Sequence, residues 1–163
     1  MQMMSFRGPT FLLEVPTTWV VSSTPQFQAL FLGPIDYIVR PSIAVSMRPV
    51  KADVTVTAVA EQAKVSQGKS YPQYQVLNEA DYSQQGSAFI RQYSWHNESK
   101  QVDIVQIQAY ILHSQVLYTL TATRPASIAD EEAAALDGLY DHAIQSFRVV
   151  VPASMAVPSE DEG

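Results

Sequence analysis

The feature that most constrains the fold is a stretch from Ala88 to Thr123, in which β-forming residues dominate and neither Pro nor Gly occurs. Val, Ile, Thr, Tyr, Phe and Trp are frequent there, and these residue types favour strands. Two short polar segments divide the stretch, one at residues 96–101 and one at Ser114–Gln115. The sequence therefore predicts three antiparallel strands joined by two turns.

Side chains of a strand alternate between two faces, so the turns decide which side chains share a face. Placing Trp95 opposite Val102, and Leu112 opposite Leu117, yields one aliphatic face and one mixed face. The aliphatic face is predicted to carry Ala88, Ile90, Val105, Ile107, Ala109, Ile111, Val116, Tyr118, Leu120 and Ala122. The mixed face is predicted to carry Phe89, Arg91, Tyr93, Trp95, Ile104, Gln106, Gln108, Tyr110, Leu117, Thr119 and Thr121. A slip of one residue at either turn would exchange the faces of the strand beyond it.

The rest of the chain predicts an α+β fold. Further strands are expected at Thr10–Val15, Phe27–Leu32, Ser42–Met47 and Tyr74–Glu79. A first helix is expected from about Val54 to Gln67, with Asp53 as its cap and Gly68 at its end. A second helix, capped by Ser127 or Asp130, has a buried stripe of Leu136, Leu139, Tyr140, Ala143, Ile144 and Phe147. We expect an antiparallel sheet of about five to seven strands, with both main helices packed on one face.

Residues 1–151 are predicted to form a single domain, and residues 152–163 an acidic, disordered tail. A net charge of −6 argues against nucleic acid as a partner, because phosphate binding needs a basic patch. Cysteine is absent, which excludes disulfides and thiolate chemistry. No apolar run is long enough for direct membrane insertion, and no signal peptide is recognisable, so the expected location is cytoplasmic.

No catalytic, cofactor or metal site is predicted. The three histidines, His96, His113 and His142, lack a metal-ligand spacing and are expected in different elements. The acidic run at residues 130–132 fits a solvated helix start. Asp103 is expected either at a solvated strand end or paired with a base. The chain is therefore interpreted as a non-enzymatic protein, with a hydrolase kept as an alternative that would need a histidine and a carboxylate in one polar pocket.

The mixed face offers the one constellation that suggests binding. Amide side chains can both donate and accept, and interleaved aromatics supply contact area with a polar group. The candidate partner-binding residues are Arg91, Tyr93, Trp95, Gln106, Gln108 and Tyr110. The alternative is that Tyr93 and Trp95 fill the core and the glutamines are only solvated.

Four segments together resemble the DcrB/Eag-chaperone family, within the wider Mog/PsbP-like superfamily. They are EVPTTW at 14–19, YSWHNESKQVDIVQIQAYI at 93–111, VLYTLTAT at 116–123 and IQSFR at 144–148. The resemblance spans most of residues 10–148. The chain departs from the pattern at Val15, where Leu is usual, at Ile107, where Arg is frequent, and in its acidic tail.

The resemblance implies a Mog/PsbP-like fold and two classes of function. Eag-like members are cytoplasmic, homodimeric chaperones or adaptors that hold the transmembrane segments of type VI secretion effectors. The implied partner is a protein client with an apolar segment, bound at the six mixed-face residues. The alternative is an envelope or photosystem-associated accessory protein of the PsbP/DcrB type.

Overall fold

A computed structural model describes residues 1–83 and 87–150, which form two antiparallel sheets and two long helices. The predicted acidic tail at 152–163 lies outside the described residues. A three-stranded sheet has the order β1-β2-β10, and a seven-stranded sheet has the order β3-β4-β5-β9-β8-β7-β6. The strands are β1 Met3–Arg7, β2 Phe11–Pro16, β3 Val20–Thr24, β4 Phe27–Leu32, β5 Ser42–Pro49, β6 Gln75–Asp81, β7 Ala88–Asn97, β8 Val102–His113, β9 Val116–Pro125 and β10 Arg148–Val149. The helices are α1 Val56–Ser70 and α2 Asp130–Ser146. The predicted α+β class is confirmed.

The three predicted strands of the meander are β7, β8 and β9, and the second turn is as expected. Leu112 pairs with Leu117, and the two turn residues Ser114 and Gln115 both have positive φ, as a tight two-residue hairpin turn requires. The first turn is two residues shorter than expected on its β7 side, so Trp95 pairs with Ile104 instead of Val102. Because a shift of two residues keeps every side chain on its face, the sorting into an aliphatic and a mixed face holds.

The start of α1 differs from the prediction. Asp53 does not cap the helix; the Thr55 hydroxyl accepts a hydrogen bond from the Ala58 amide at 3.2 Å, and the helix runs on to Ser70. At α2 no side chain caps the N-terminus, but three acidic residues occupy the first turn, where the helix dipole favours them.

The two helices pack on opposite faces of the seven-stranded sheet, which corrects the expectation that both lie on one face. The α2 stripe, the three-stranded sheet and the aliphatic face share one core, in which Trp19 contacts Tyr140 edge-to-face. Helix α1 instead packs on the mixed face, where Val56, Val59 and Ala60 meet a second apolar cluster. That cluster exists because Phe89, Tyr110 and Leu117 gather on one part of the mixed face, and a short apolar stripe is enough to cover them.

Three strands, β1, β3 and β10, were not expected from the sequence. β3 has three hydroxyl residues among five, and it pairs with β4 across the short turn at Pro25–Gln26. The N-terminal β1 forms a hairpin with β2, whereas the two-residue β10 pairs with β2 across a long sequence separation. Within the described ranges, neither helix is long and apolar enough to cross a membrane.

Candidate functional site

The six candidate residues all lie on the mixed face, as the alternation predicts, but they divide into two groups by burial. Arg91, Tyr93 and Tyr110 are buried in the free chain. Trp95, Gln106 and Gln108 are half-buried. That these residues bind a partner stays a prediction, and only the second group is accessible to one in this structure.

Arg91 is a fully buried guanidinium that ties three elements together. Its Nε donates to the Glu79 carboxylate on β6 at 2.9 Å, and one Nη donates to the Ala60 carbonyl on α1 at 2.7 Å. The guanidinium also lies over the Phe89 ring, 4.9 Å from its centre. These contacts hold the pKa of Glu79 below its usual range, with the Arg91 hydrogen bond as the main cause. Arg91 therefore anchors α1 to the sheet.

A cluster of aromatic rings lies beside Arg91, where the chain leaves the C-terminus of α1. Tyr71, which follows α1, stacks on Trp95 with ring centres 4.4 Å apart and planes 16° apart. Tyr93 lies beneath Tyr71 and Tyr74, at centre distances of 6.3 and 5.4 Å. Burial raises the pKa of Tyr93 far above its usual value. Tyr93 is a neutral packing group at every ordinary pH.

A chain of hydrogen bonds crosses the sheet beneath α1, with Gln108 at its centre. The Gln108 carbonyl accepts from the buried Gln67 amide of α1 at 2.8 Å and from the Tyr110 hydroxyl. Its own amide donates to the Thr121 hydroxyl at 3.0 Å, and the Tyr74 hydroxyl donates to Gln67 at 3.0 Å. Burial raises the pKa of Tyr110 to about 12. The second half of α1 is thus held by amide hydrogen bonds, where an apolar contact would be usual.

A second chain of hydrogen bonds passes through Gln106, two residues from Gln108 on β8, where α1 does not cover the sheet. The Trp95 indole N–H donates to the Gln106 carbonyl at 2.9 Å, and the Gln106 amide donates to the Thr123 hydroxyl at 3.0 Å. All three side chains are half-buried. Gln106 and Gln108 each use one of two amide hydrogens in this way, so hydrogen bonds within the sheet hold both side chains in place.

The remainder of the mixed face, which we call the open half, is formed by β3, β4, β5 and β9. The strand register places on it Val20, Ser22, Leu30, Leu32, Ser42, Ala44, Ser46, the exposed Arg48, Thr119, Thr121 and Thr123. Among the described residues no helix packs on it, since α1 packs on β7 and β8 and α2 on the other side of the sheet. A groove of about 400 Å³ runs between α1 and this surface. Its walls are part apolar and part polar, and they include Val59, Ala63, Leu117, Arg48, Gln62, Ser66 and Gln108.

Sequence reasoning missed the open half and the α1 residue Gln67. The sequence did contain a pattern that indicates the open half: small residues recur at every second position, Ser42, Ala44 and Ser46, and such alternation marks one face of a strand. No local signal distinguished Gln67 from the other polar residues of α1, since its burial arises from the face on which α1 docks.

The ionisable side chains form no recognisable catalytic centre among residues 1–83 and 87–150. His96 contacts Asp103 at 2.7 Å and His142 contacts Glu14 at 2.6 Å, and both pairs are partly or largely exposed on the surface. Asp103 therefore both ends a strand in solvent and has a basic partner. In the same part of the chain, no three His or acidic side chains converge as metal ligands would.

Comparison with known proteins confirms the fold and the family. Cyanobacterial PsbP (CyanoP) from Synechocystis sp. PCC 6803 is 16% identical, with a TM-score of 0.62 over 91% of both chains. LpqN, involved in cell envelope biogenesis of Mycobacterium tuberculosis, is 18% identical, with a TM-score of 0.60 over 92% of this chain and 91% of its own. The Ran-binding protein Mog1p of Saccharomyces cerevisiae is 14% identical, with a TM-score of 0.63 over 92% and 96%.

The TM-scores show a shared fold, and at such low identity the likeness extends no further. No curated protein sequence matches the chain at a significant level. The DcrB family model matches residues 13–142, which run from within β2 to within α2 and include all six candidate residues. The chain belongs to the DcrB family.

Proposed function

We propose that the protein is a non-enzymatic adaptor or chaperone that holds an apolar, transmembrane-like segment of a protein client on the open half. One observation carries this proposal: four adjacent strands present a face on which no described helix packs. The Eag-like role, the cytoplasmic location and the homodimer implied by the sequence resemblance belong to the same proposal. The Ran-binding description of Mog1p supports protein binding as a use of this fold.

The chemistry of the open half suits a client that is apolar but has small polar groups. Leu30, Leu32 and Val20 give apolar contact area, and burying such area contributes about 25 cal/mol per Å². Threonine and serine hydroxyls between them can pair with the small polar residues that transmembrane helices use for close packing. Hydroxyls and amides interrupt the apolar surface, so the free protein does not expose a large contiguous hydrophobic patch that would favour aggregation.

The two glutamines can add directional hydrogen bonds to a client with little loss of side-chain conformational entropy. Gln106 and Gln108 already hydrogen-bond within the sheet, so their side chains lose little conformational freedom when a client binds. Each still has one amide hydrogen to donate to a client carbonyl or hydroxyl. The groove beside α1, with Val59 and Leu117 in its walls, would receive the apolar side of the client.

The test measures binding of a labelled peptide with about 20 apolar residues and two lysines at each end for solubility. The control peptide has the same lysines around a Ser/Gly/Asn centre, because the protein's net charge of −6 attracts any basic peptide. We expect the protein to bind the apolar peptide by fluorescence anisotropy and to bind the control at least about tenfold more weakly. Equal binding of both peptides, or of neither, would contradict the proposal.

A matched pair of variants then locates the site. Thr119→Lys places a charge in the open half, and Thr57→Lys places the same charge on the exposed side of α1. We expect Thr119→Lys to weaken peptide binding by about tenfold or more, because an unpaired ammonium would be buried under the client. Thr57→Lys should leave the affinity unchanged. An equal loss of peptide affinity in both variants would show that the client does not bind on the open half.

A further inference from the structure

A pocket of about 340 Å³ lies on the aliphatic face of the seven-stranded sheet, on the other side from the open half. Its floor is the outer part of that face, on β7 and β8, and its wall is the C-terminal end of α2 with β10. Small-molecule sites usually measure about 300–1,000 Å³, so the pocket has room for a small ligand. Its apolar lining consists mainly of Ala88, Ile90, Ala109, Ile111, Ile144 and Phe147.

The pocket is apolar at its inner end and polar at its mouth. Along β8, successive side chains on this face change from the buried Ala109, through the half-buried Ile111, to the exposed His113. The exposed side chains of Tyr82 and Gln145 also line the pocket. An elongated ligand lying along β8 would therefore have one end buried among apolar groups and the other end in solvent. Such a ligand needs an apolar chain and a polar head.

The ionisable groups of the pocket suit a negatively charged head. In the part of the chain that the structure describes, the lining contains Arg148 and His113 but no carboxylate, although the sequence has 16 acidic residues against 10 Lys and Arg. Arg148 Nη1 donates to the carbonyl oxygens of Gln145 at 2.8 Å and Phe147 at 2.7 Å, which holds the guanidinium at the end of α2. Its other nitrogens make no hydrogen bond to any described residue. A guanidinium binds a carboxylate through short, charge-assisted hydrogen bonds.

We propose that this pocket binds a fatty acid, with the acyl chain against Ile90 and Ile111 and the carboxylate at Arg148 and His113. Both isoleucines are only half-buried in the free chain, so an acyl chain would remove further apolar surface from water. Each methylene buried in this way strengthens binding about fourfold. The site does not depend on the proposed function, because it lies on the opposite face of the sheet from the open half.

The test is calorimetric titration of the full chain with decanoate, kept below the concentration at which it forms micelles. The comparison ligand is decyltrimethylammonium, which has the same chain length and a positive head. The net charge of −6 attracts the cation over most of the surface, so a preference for decanoate reports on the pocket. We expect decanoate to bind saturably, and both decyltrimethylammonium and octanoate, which lacks two methylenes, to bind about tenfold more weakly. The proposal is overturned if decanoate does not bind, if the cation binds equally well, or if chain length has no effect.

A matched pair of variants locates the carboxylate. Arg148→Gln removes the guanidinium at the mouth, and Lys69→Gln removes one positive charge from an exposed residue in the last turn of α1, on the other face of the sheet. We expect Arg148→Gln to weaken decanoate binding about tenfold without weakening that of decyltrimethylammonium, and Lys69→Gln to change neither. Because Arg148 is exposed, its replacement leaves the core intact. Equal effects of the two variants would contradict the proposed position of the carboxylate.

Two further measurements locate the acyl chain. Ala88→Leu adds bulk to the floor of the pocket, so it should weaken binding of both ten-carbon ligands at least about tenfold, in a protein that circular dichroism shows to be folded. The apolar client peptide should not displace decanoate, since the two sites lie on opposite faces of the sheet. Unchanged binding by folded Ala88→Leu, or displacement of decanoate by the peptide, would overturn the assignment to this pocket. The peptide-binding test itself is separate, so failure of the fatty-acid site and failure of the proposed function are distinguishable.

Discussion

The hydrogen-bond chain beneath α1 makes a quantitative prediction about Gln108. Replacing Gln108 by leucine keeps the side-chain volume roughly constant but removes both the acceptor and the donor. The Tyr110 hydroxyl and the Gln67 amide would then lose their acceptor while remaining buried. The matched substitution is Gln106→Leu, two residues away on the same strand and face, whose partners Trp95 and Thr123 are half-buried.

The expected magnitudes follow from burial. Leaving a buried donor unsatisfied costs about 1–3 kcal/mol, so two such donors cost about 2–6 kcal/mol. The added apolar area of leucine offsets about 1 kcal/mol of this. We therefore expect Gln108→Leu to lower the free energy of unfolding by about 3 kcal/mol, a large part of a typical domain stability of about 5–15 kcal/mol. At Gln106 water can reach the freed partners, so the expected loss is under about 1 kcal/mol.

Urea denaturation followed by circular dichroism measures both values, provided that the slope of the transition is unchanged. A second comparison isolates the unsatisfied hydroxyl. Tyr110→Phe should cost about 1 kcal/mol in the wild type, yet be neutral or stabilising in the Gln108→Leu background, where it removes a buried group that has no partner. The reasoning is refuted if Gln108→Leu destabilises no more than Gln106→Leu, or if Tyr110→Phe costs the same in both backgrounds.

Three further predictions concern single positions. Gly138→Ala should raise the free energy of unfolding by up to about 1 kcal/mol, as measured by chemical denaturation. The added methyl group meets nothing within 4 Å, and alanine favours the helix more than glycine does. A loss of stability would contradict this prediction. Thr55→Ala should cost about 1 kcal/mol and Asp53→Ala much less in the same assay, because Thr55 is the observed cap; the reverse order would be the opposing result. Tyr110 has a folded-state pKa of about 12 against an ordinary 10.0, so the unfolded chain releases this proton first and stability should fall as pH rises between those values. In alkaline titrations Tyr110→Phe should lose less stability over that window than the wild type, and an unchanged profile would count against the assignment.

The pattern of residues from Ala88 to Thr123 by itself determined two faces, and the structure retains them. The second turn was predictable because the polar pair Ser114–Gln115 interrupts a long run of β-forming residues, and two residues are enough for a tight hairpin that pairs Leu112 with Leu117. The first turn was predicted two residues too long, and the faces survived because alternation has a period of two. The buried face of α2 was also predictable from the sequence, because its apolar residues recur at helical spacing; in the structure they all pack in one core.

Tertiary structure alone decided where α1 docks, and with it which of the candidate residues remain accessible. The few apolar residues of α1 are compatible with either face of the sheet, and the choice depends on Phe89, Tyr110 and Leu117 meeting them across long sequence separations. Docking there buries Arg91 and leaves the open half uncovered. A sequence specifies the faces of a strand locally, because alternation belongs to each residue. Which face a helix covers is a property of the whole packing, because it depends on contacts that form only when distant segments meet.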